Sequence, residues 1–207
     1  MAFPALCKTH QGGGDDDPIG EELERYAVNK EIPDQLQDVV LTALSFYPAL
    51  IDTPIEFVLK DNIKKSVMQA RPKIKSIFKK KSSRKYVVKV SRYLKLNHEK
   101  IDISTLPFEV LVGWIGHELG HVMDYKDRSS LSMIQFGLRY VLFKNFIIEA
   151  EKAADLYALK HGLGYHIVET KNFVLSHDDI PVEYKARNKR LYMSPEEFEL
   201  LLGGVAP

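Results

Sequence analysis

The sequence predicts an α+β fold: a small mixed β-sheet, then one long helix, then a helical lower part. Three observations predict it. Runs rich in β-branched and aromatic residues fall at Ile55–Leu59, Tyr86–Leu94 and Ile101–Ile103. From Pro107 onward apolar residues recur three and four apart instead. Within that helical pattern lies His117-Glu118-Leu119-Gly120-His121, whose two histidines, four apart, point the same way on a helix.

The chain has 207 residues, 45% hydrophobic and 28% charged, which suits one compact domain. Residues 1–18, with Gly12-Gly13-Gly14-Asp15-Asp16-Asp17-Pro18, read as a flexible leader. Residues 19–207 read as the single domain. A net charge of +1 points to no polyanionic partner, so no nucleic acid is expected. The single cysteine, Cys7, rules out an internal disulfide and a cysteine-rich zinc site. Met1–Lys8 lacks the apolar stretch of a signal peptide, which predicts a cytoplasmic protein, or a surface or envelope one if a leader has been removed.

In order, the pattern predicts helices over 19–30 and 34–47, separated by Pro33 and closed by Pro48. The strand at 55–59 follows. Residues 60–85 carry eleven Lys or Arg against one acid, Asp61, and read as a solvated basic stretch. The strands at 86–94 and 101–103 come next. Ser104 or Thr105 is the expected cap of a helix over 107–126, with Glu109 in its first turn. Helices over 130–144 and 146–161 follow, the second stopping at Gly162. Leu131–Ile148 is interrupted by Gln135, Arg139, Lys144 and Asn145, so it predicts a buried or amphipathic helix and no transmembrane span. The tail predicts helices over 181–191 and 195–202, the last opened by Ser194-Pro195-Glu196-Glu197.

Helix 107–126 divides its faces. Leu111, Ile115, Leu119 and Val122 form an apolar stripe, while Gly113, Gly116 and Gly120 form another of glycine. Interior glycines cost helix stability, about 1 kcal/mol each, so something must pack close to this backbone. The small residues Ala150, Ala153, Ala154 and Ala158 fit a partner helix that also carries Glu151 and Asp155. Those two acids are four apart and share a face. Glu151 is the natural third ligand beside His117 and His121 for one Zn²⁺ ion, and Asp155 is placed to accept a hydrogen bond from a liganding histidine. A fourth position left to water marks a catalytic site, with Glu118 as base for that water. Asp127 and Glu149 are rival third ligands; Glu149 sits about 200° around the helix from Glu151.

His117-Glu118-Leu119-Gly120-His121 followed by Glu151 and Asp155 on a later helix resembles the gluzincin zinc metallopeptidases. With the upstream β-segment and Leu106-Pro107, the chain is similar over roughly 54–162 to the minigluzincins and to the catalytic core of HtpX-type membrane peptidases. The resemblance implies a zincin-like domain hydrolysing peptide bonds of a peptide or protein substrate. In it, His117, His121 and Glu151 are ligands, Glu118 is general base and acid, and Asp155 orients a ligand. It also implies an upstream strand edge that holds substrate in extended form, here assigned to Val87, Val88 and Val90. There are departures. Twenty-nine residues separate His121 from Glu151, so an extra helix must fit between them. The membrane helices are missing, and no motif fixes a transition-state stabiliser: His166, His177 and Tyr184 are the leading candidates, with Tyr157, His161 and Tyr192 behind them. Residues 163–207 either complete the lower subdomain or cover the site as a latency segment. Two other functions fit the residues: a silent or latent zinc-binding protein, and an adaptor for an anionic surface or nucleic acid through residues 60–85.

Overall fold

A computed structural model describes residues 18–203 except 62, 64 and 65. The leader before Pro18, Cys7, Lys64 and Lys65 lie outside the described residues. The N-terminal helix is shorter than its pattern. Helix α1 (Pro18–Glu24) passes into a 3-10 turn, Arg25–Ala27, and Lys30–Glu31 forms a short strand, β1. Asn29 between them takes φ 58°, a left-handed conformation that ends any helix. Helix α2 (Gln37–Ser45) buries Val39, Val40, Ala43 and Leu44, and Pro48 prevents its continuation, as expected. Tyr47, just beyond it, is fully buried and donates its hydroxyl to the Gly116 carbonyl at 2.7 Å.

Strands β2 (Ile55–Lys60), β3 (Met68–Pro72) and β4 (Tyr86–Ser91) join β1 in the order β1-β2-β4-β3, with a short helix α3 (Ile74–Ile77) after β3. β1, β2 and β4 are parallel and β3 is antiparallel to β4, so the fold is α+β with a small mixed sheet. Strand β3 is absent from the sequence reading. Only Met68 and Ala70 point inward, while Gln69 and Arg71 face solvent, so its apolar signal is two residues long. Its position corrects an expectation. Val87, Val88 and Val90 lie on β4, which is paired on both sides and has no free edge to offer a substrate. The outer edge belongs to β3. The run Tyr86–Leu94 also breaks at Arg92, and β5 (Tyr93–Lys95) pairs antiparallel with β6 (Lys100–Asp102) in a separate two-stranded sheet.

Helix α4 (Phe108–Asp127) runs through the middle of the molecule, buried at fourteen of its twenty residues and packed by α2, β3 and two later helices. A helix covered on all sides needs little polar surface, which explains its glycines and its weak amphipathicity. Ser104 and Thr105 do not cap it. They form a 3-10 turn held by Asp102, which accepts from Ser104 N at 2.9 Å, and Pro107 begins α4. Helices α5 (Ser130–Leu142), α6 (Lys144–Lys160), α7 (Gly164–Ser176), α8 (Val182–Leu191) and α9 (Pro195–Gly203) complete the chain. Gly162 ends α6 with φ 88°, where Leu163 N bonds Ala158 O and Gly162 N bonds Leu159 O, a Schellman turn. Ser194 and Glu197 form the reciprocal bonds of a capping box at α9. Helix α7 is absent from the sequence reading because its buried face includes Thr170 and Lys171 beside Ile167 and Val174.

The glycine stripe meets two partners. A Cβ on Gly120 would lie 2.5 Å from the Ala154 carbonyl of α6, and one on Gly113 would lie 2.2 Å from the His166 carbonyl of α7. Both helices therefore rest directly on the α4 backbone.

Candidate metal centre

Helix α4 presents His117 and His121 one turn apart, and α6, held close by Gly120, presents Glu151 to both. Glu151 Oε2 lies 3.1 Å from His117 Nε2 and 3.3 Å from His121 Nε2. One ligand atom from each of the three residues lies within 4.8 Å of the others, and all three side chains are buried. This group could hold a metal ion.

Asp155, one turn beyond Glu151, accepts from His117 Nδ1 at 2.8 Å, which turns Nε2 toward Glu151. The other Asp155 oxygen accepts from Lys171 Nζ at 2.9 Å and from the Met193 amide at 3.3 Å. Tyr140 on α5 donates to Glu151 Oε1 at 3.1 Å. His121 Nδ1 is buried without a partner. Burial opposes ionisation of both acids, yet their partners win. Facing His121 and His117, the Glu151 carboxyl is held well below the usual carboxylate range. The Lys171 ammonium and His117 hold Asp155 low as well. Burial likewise lowers His117, but its bonds to Asp155 and Glu151 overcome this and raise it to about 10.

Glu118 lies beside His117 in sequence and is buried. Burial pushes its carboxyl up, against the pull of His121 and His117. Its Oε2 accepts a hydrogen bond from the Ala70 amide on the outer edge of β3. A cavity of about 40 Å³ opens beside Glu118 and His117, bounded by Ser66–Met68, Trp114, Lys171, Tyr184 and Tyr192. It has room for a few waters. The Tyr192 ring packs 5.3 Å from the His117 ring.

The other candidates disperse. Tyr184 lines the cavity, with its hydroxyl pushed by burial up to about 12. His166 instead pairs with Glu109 at 2.8 Å, and His177 packs on Phe173 at the end of α7. Neither borders the cavity. Asp127 is bonded by the Tyr157 hydroxyl at 2.9 Å, His161 bonds the Tyr157 carbonyl, and Glu149 is exposed; none belongs to the cluster. Sequence reasoning missed Lys171, Tyr140 and the Ala70 amide. The first lies on an unrecognised helix and the last on an unrecognised strand. Tyr140 lies on the helix expected between His121 and Glu151, but no spacing marks which of its residues turns inward. No family model, curated protein or solved structure matches the chain.

Proposed function

We propose that this chain is a zinc-dependent endopeptidase of gluzincin type. The observation that carries the reading is the convergence of His117, His121 and Glu151, with Glu118 on the same helix and bonded to a sheet-edge amide. The donor set fits zinc. Ligand atoms about 2.1 Å from one tetrahedral ion lie about 3.4 Å apart, close to the 3.1 Å and 3.3 Å between Glu151 and the two imidazoles. When bound, zinc supplies a Lewis acid that makes water nucleophilic near neutral pH.

The chain's own residues do the rest. Asp155 fixes the His117 ring, and Lys171 keeps Asp155 ionised. Glu118 takes a proton from the attacking water and returns it to the leaving amine. The outer edge of β3 offers the Met68 backbone groups and the Ala70 carbonyl to an extended peptide, in the role expected of β4, while the Ala70 amide stays with Glu118. Tyr184 and Tyr192 line the cavity and are the candidates to donate to the oxyanion. A larger space of about 450 Å³ adjoins the cavity along Lys171, Asn188 and Tyr192, and a peptide would approach Glu118 from that side.

The test measures bound zinc by elemental analysis together with hydrolysis of an unfolded protein, before and after limited proteolysis. The wild type should hold one equivalent and cleave at least after proteolysis. Glu118→Gln should keep zinc and lose cleavage, and Glu151→Ala should lose zinc. Zinc retained in Glu151→Ala, or cleavage retained in Glu118→Gln, would overturn the assignment.

A further inference from the structure

Helix α5 is apolar on two sides. Its inner side buries Met133 and Phe136 and turns Tyr140 to Glu151. Its outer side exposes Leu131, Ile134, Leu138 and Val141, the last at 82%. These positions are three, four and three apart, one continuous helix face. Exposed Leu142 and Phe143 extend it. A stripe of this kind on a folded surface marks an interaction site.

The patch continues across a bonded junction. Ser130 Oγ donates to the Ile77 carbonyl at 2.7 Å, and Lys81 Nζ donates to the Asp127 carbonyl at 2.6 Å. These bonds fasten the end of α4 and the start of α5 to the segment after β3, where Ile74 and Phe78 are 75% and 72% exposed. Lys75, Lys79 and Lys80 are exposed in that segment, and Arg139 and Lys144 on or beside α5. The charge is segregated. Residues 62–98 contain thirteen Lys or Arg and no Asp or Glu, and residues 128–148 contain three and none. Of these, Arg84 is buried, and Lys73, Arg92 and Arg128 pair with Glu56, Asp61 and Asp124. Lys75, Lys79 and Lys80 with Arg139 and Lys144 are therefore the cations that flank the stripe. With a whole-chain net charge of +1, the remainder is strongly acidic.

We propose that this face seats the protein on the surface of an anionic lipid bilayer. Aliphatic and aromatic side chains enter the headgroup–acyl boundary, and the flanking cations meet lipid phosphates. The pairing of the two features selects the occupant. A nucleic acid would satisfy the cations but leave the Leu131–Val141 stripe in water. A second copy would cover the stripe but gather both copies' cations around a dry contact. The seat is peripheral, since no helix among the described residues is long and apolar enough to cross a membrane. The inference does not rest on the hydrolytic reading.

Co-sedimentation with vesicles tests it, using phosphatidylcholine alone and phosphatidylcholine mixed with phosphatidylglycerol. The wild type should pellet with the anionic vesicles and stay in solution with the neutral ones. Lys79→Glu with Lys80→Glu should weaken binding at least about tenfold, and added salt should do the same. Leu138→Glu with Val141→Glu changes only exposed positions and should abolish binding while leaving the circular dichroism unchanged. Wild-type protein that ignores anionic vesicles would overturn the proposal. So would binding indifferent to the α5 pair, or a dimer in sedimentation velocity that the same pair dissolves.

Discussion

At His117 two nitrogens do separate work: Nδ1 bonds Asp155 and Nε2 faces Glu151. In the metal-free protein these acids hold the His117 proton until about pH 10, although burial alone would release it early. On the proposed reading, zinc binding would displace that proton. Affinity should therefore rise about tenfold per pH unit through neutrality and flatten near the raised pKa. Zinc titrations at about pH 6 and about pH 8 check this, and equal affinities would exclude a protonated His117 at the site. The same shift acts on the metal-free fold. Its contribution is full below the ordinary value of 6.5 and is lost as pH rises through about 10. At this scale the sequence was informative where spacing is local. His117, Glu118 and His121 lie within one helical segment, as do Glu151 and Asp155, and the cluster contains Glu151 in preference to Asp127 or Glu149. Lys171 was not legible. A lysine sixteen residues beyond Asp155 has no periodic reason to be buried until α7 folds back onto α4.

Among the elements, α4 sets the distances on which the centre depends. Gly120 lets the α6 backbone come close enough for Glu151 to reach both imidazoles. Gly120→Val should destabilise the fold by about 2–3 kcal/mol or more, because a backbone carbonyl cannot swing away as a side chain can. It should weaken metal binding too, since the Ala154 carbonyl it strikes lies between Glu151 and Asp155 in sequence. Gly137 on α5 is the control. A Cβ there meets nothing within 4 Å, so Gly137→Ala should stabilise by up to about 1 kcal/mol through helix propensity. Chemical denaturation of both variants checks the pair, and equal effects would mean that the glycines are not reporting close packing. The sequence announced a close approach on the glycine face and named alanines of 150–158 as partners. It did not announce that Gly113 serves a second helix, α7. Strand β3 was hidden for a related reason: an edge strand with one buried face needs only Met68 and Ala70 to be apolar, and flanking lysines mask so short an alternation.

Across the whole molecule, the centre ties together elements remote in the chain. α4 and α6 supply its side chains, α7 holds Asp155 through Lys171, and α5 reaches Glu151 through Tyr140. A metal that binds only this arrangement stabilises all of it, by about 2.7 kcal/mol when free ion exceeds Kd a hundredfold. Zinc should raise the thermal midpoint of the wild type, a chelator should reverse the gain, and Glu151→Ala should respond to neither. A wild type whose midpoint ignores zinc would leave the cluster without a metal. By itself the sequence determined the α+β class, most helices, the α6 and α9 termini and the cluster's members, since these follow from periodicity and capping within a few turns of chain. The tertiary structure alone decided that β3 is the free edge beside Glu118, that α7 carries Lys171 inward, and that α5 turns a second apolar face outward. Each depends on which surfaces are covered, and coverage comes from contacts between residues far apart in sequence, which local pattern does not encode.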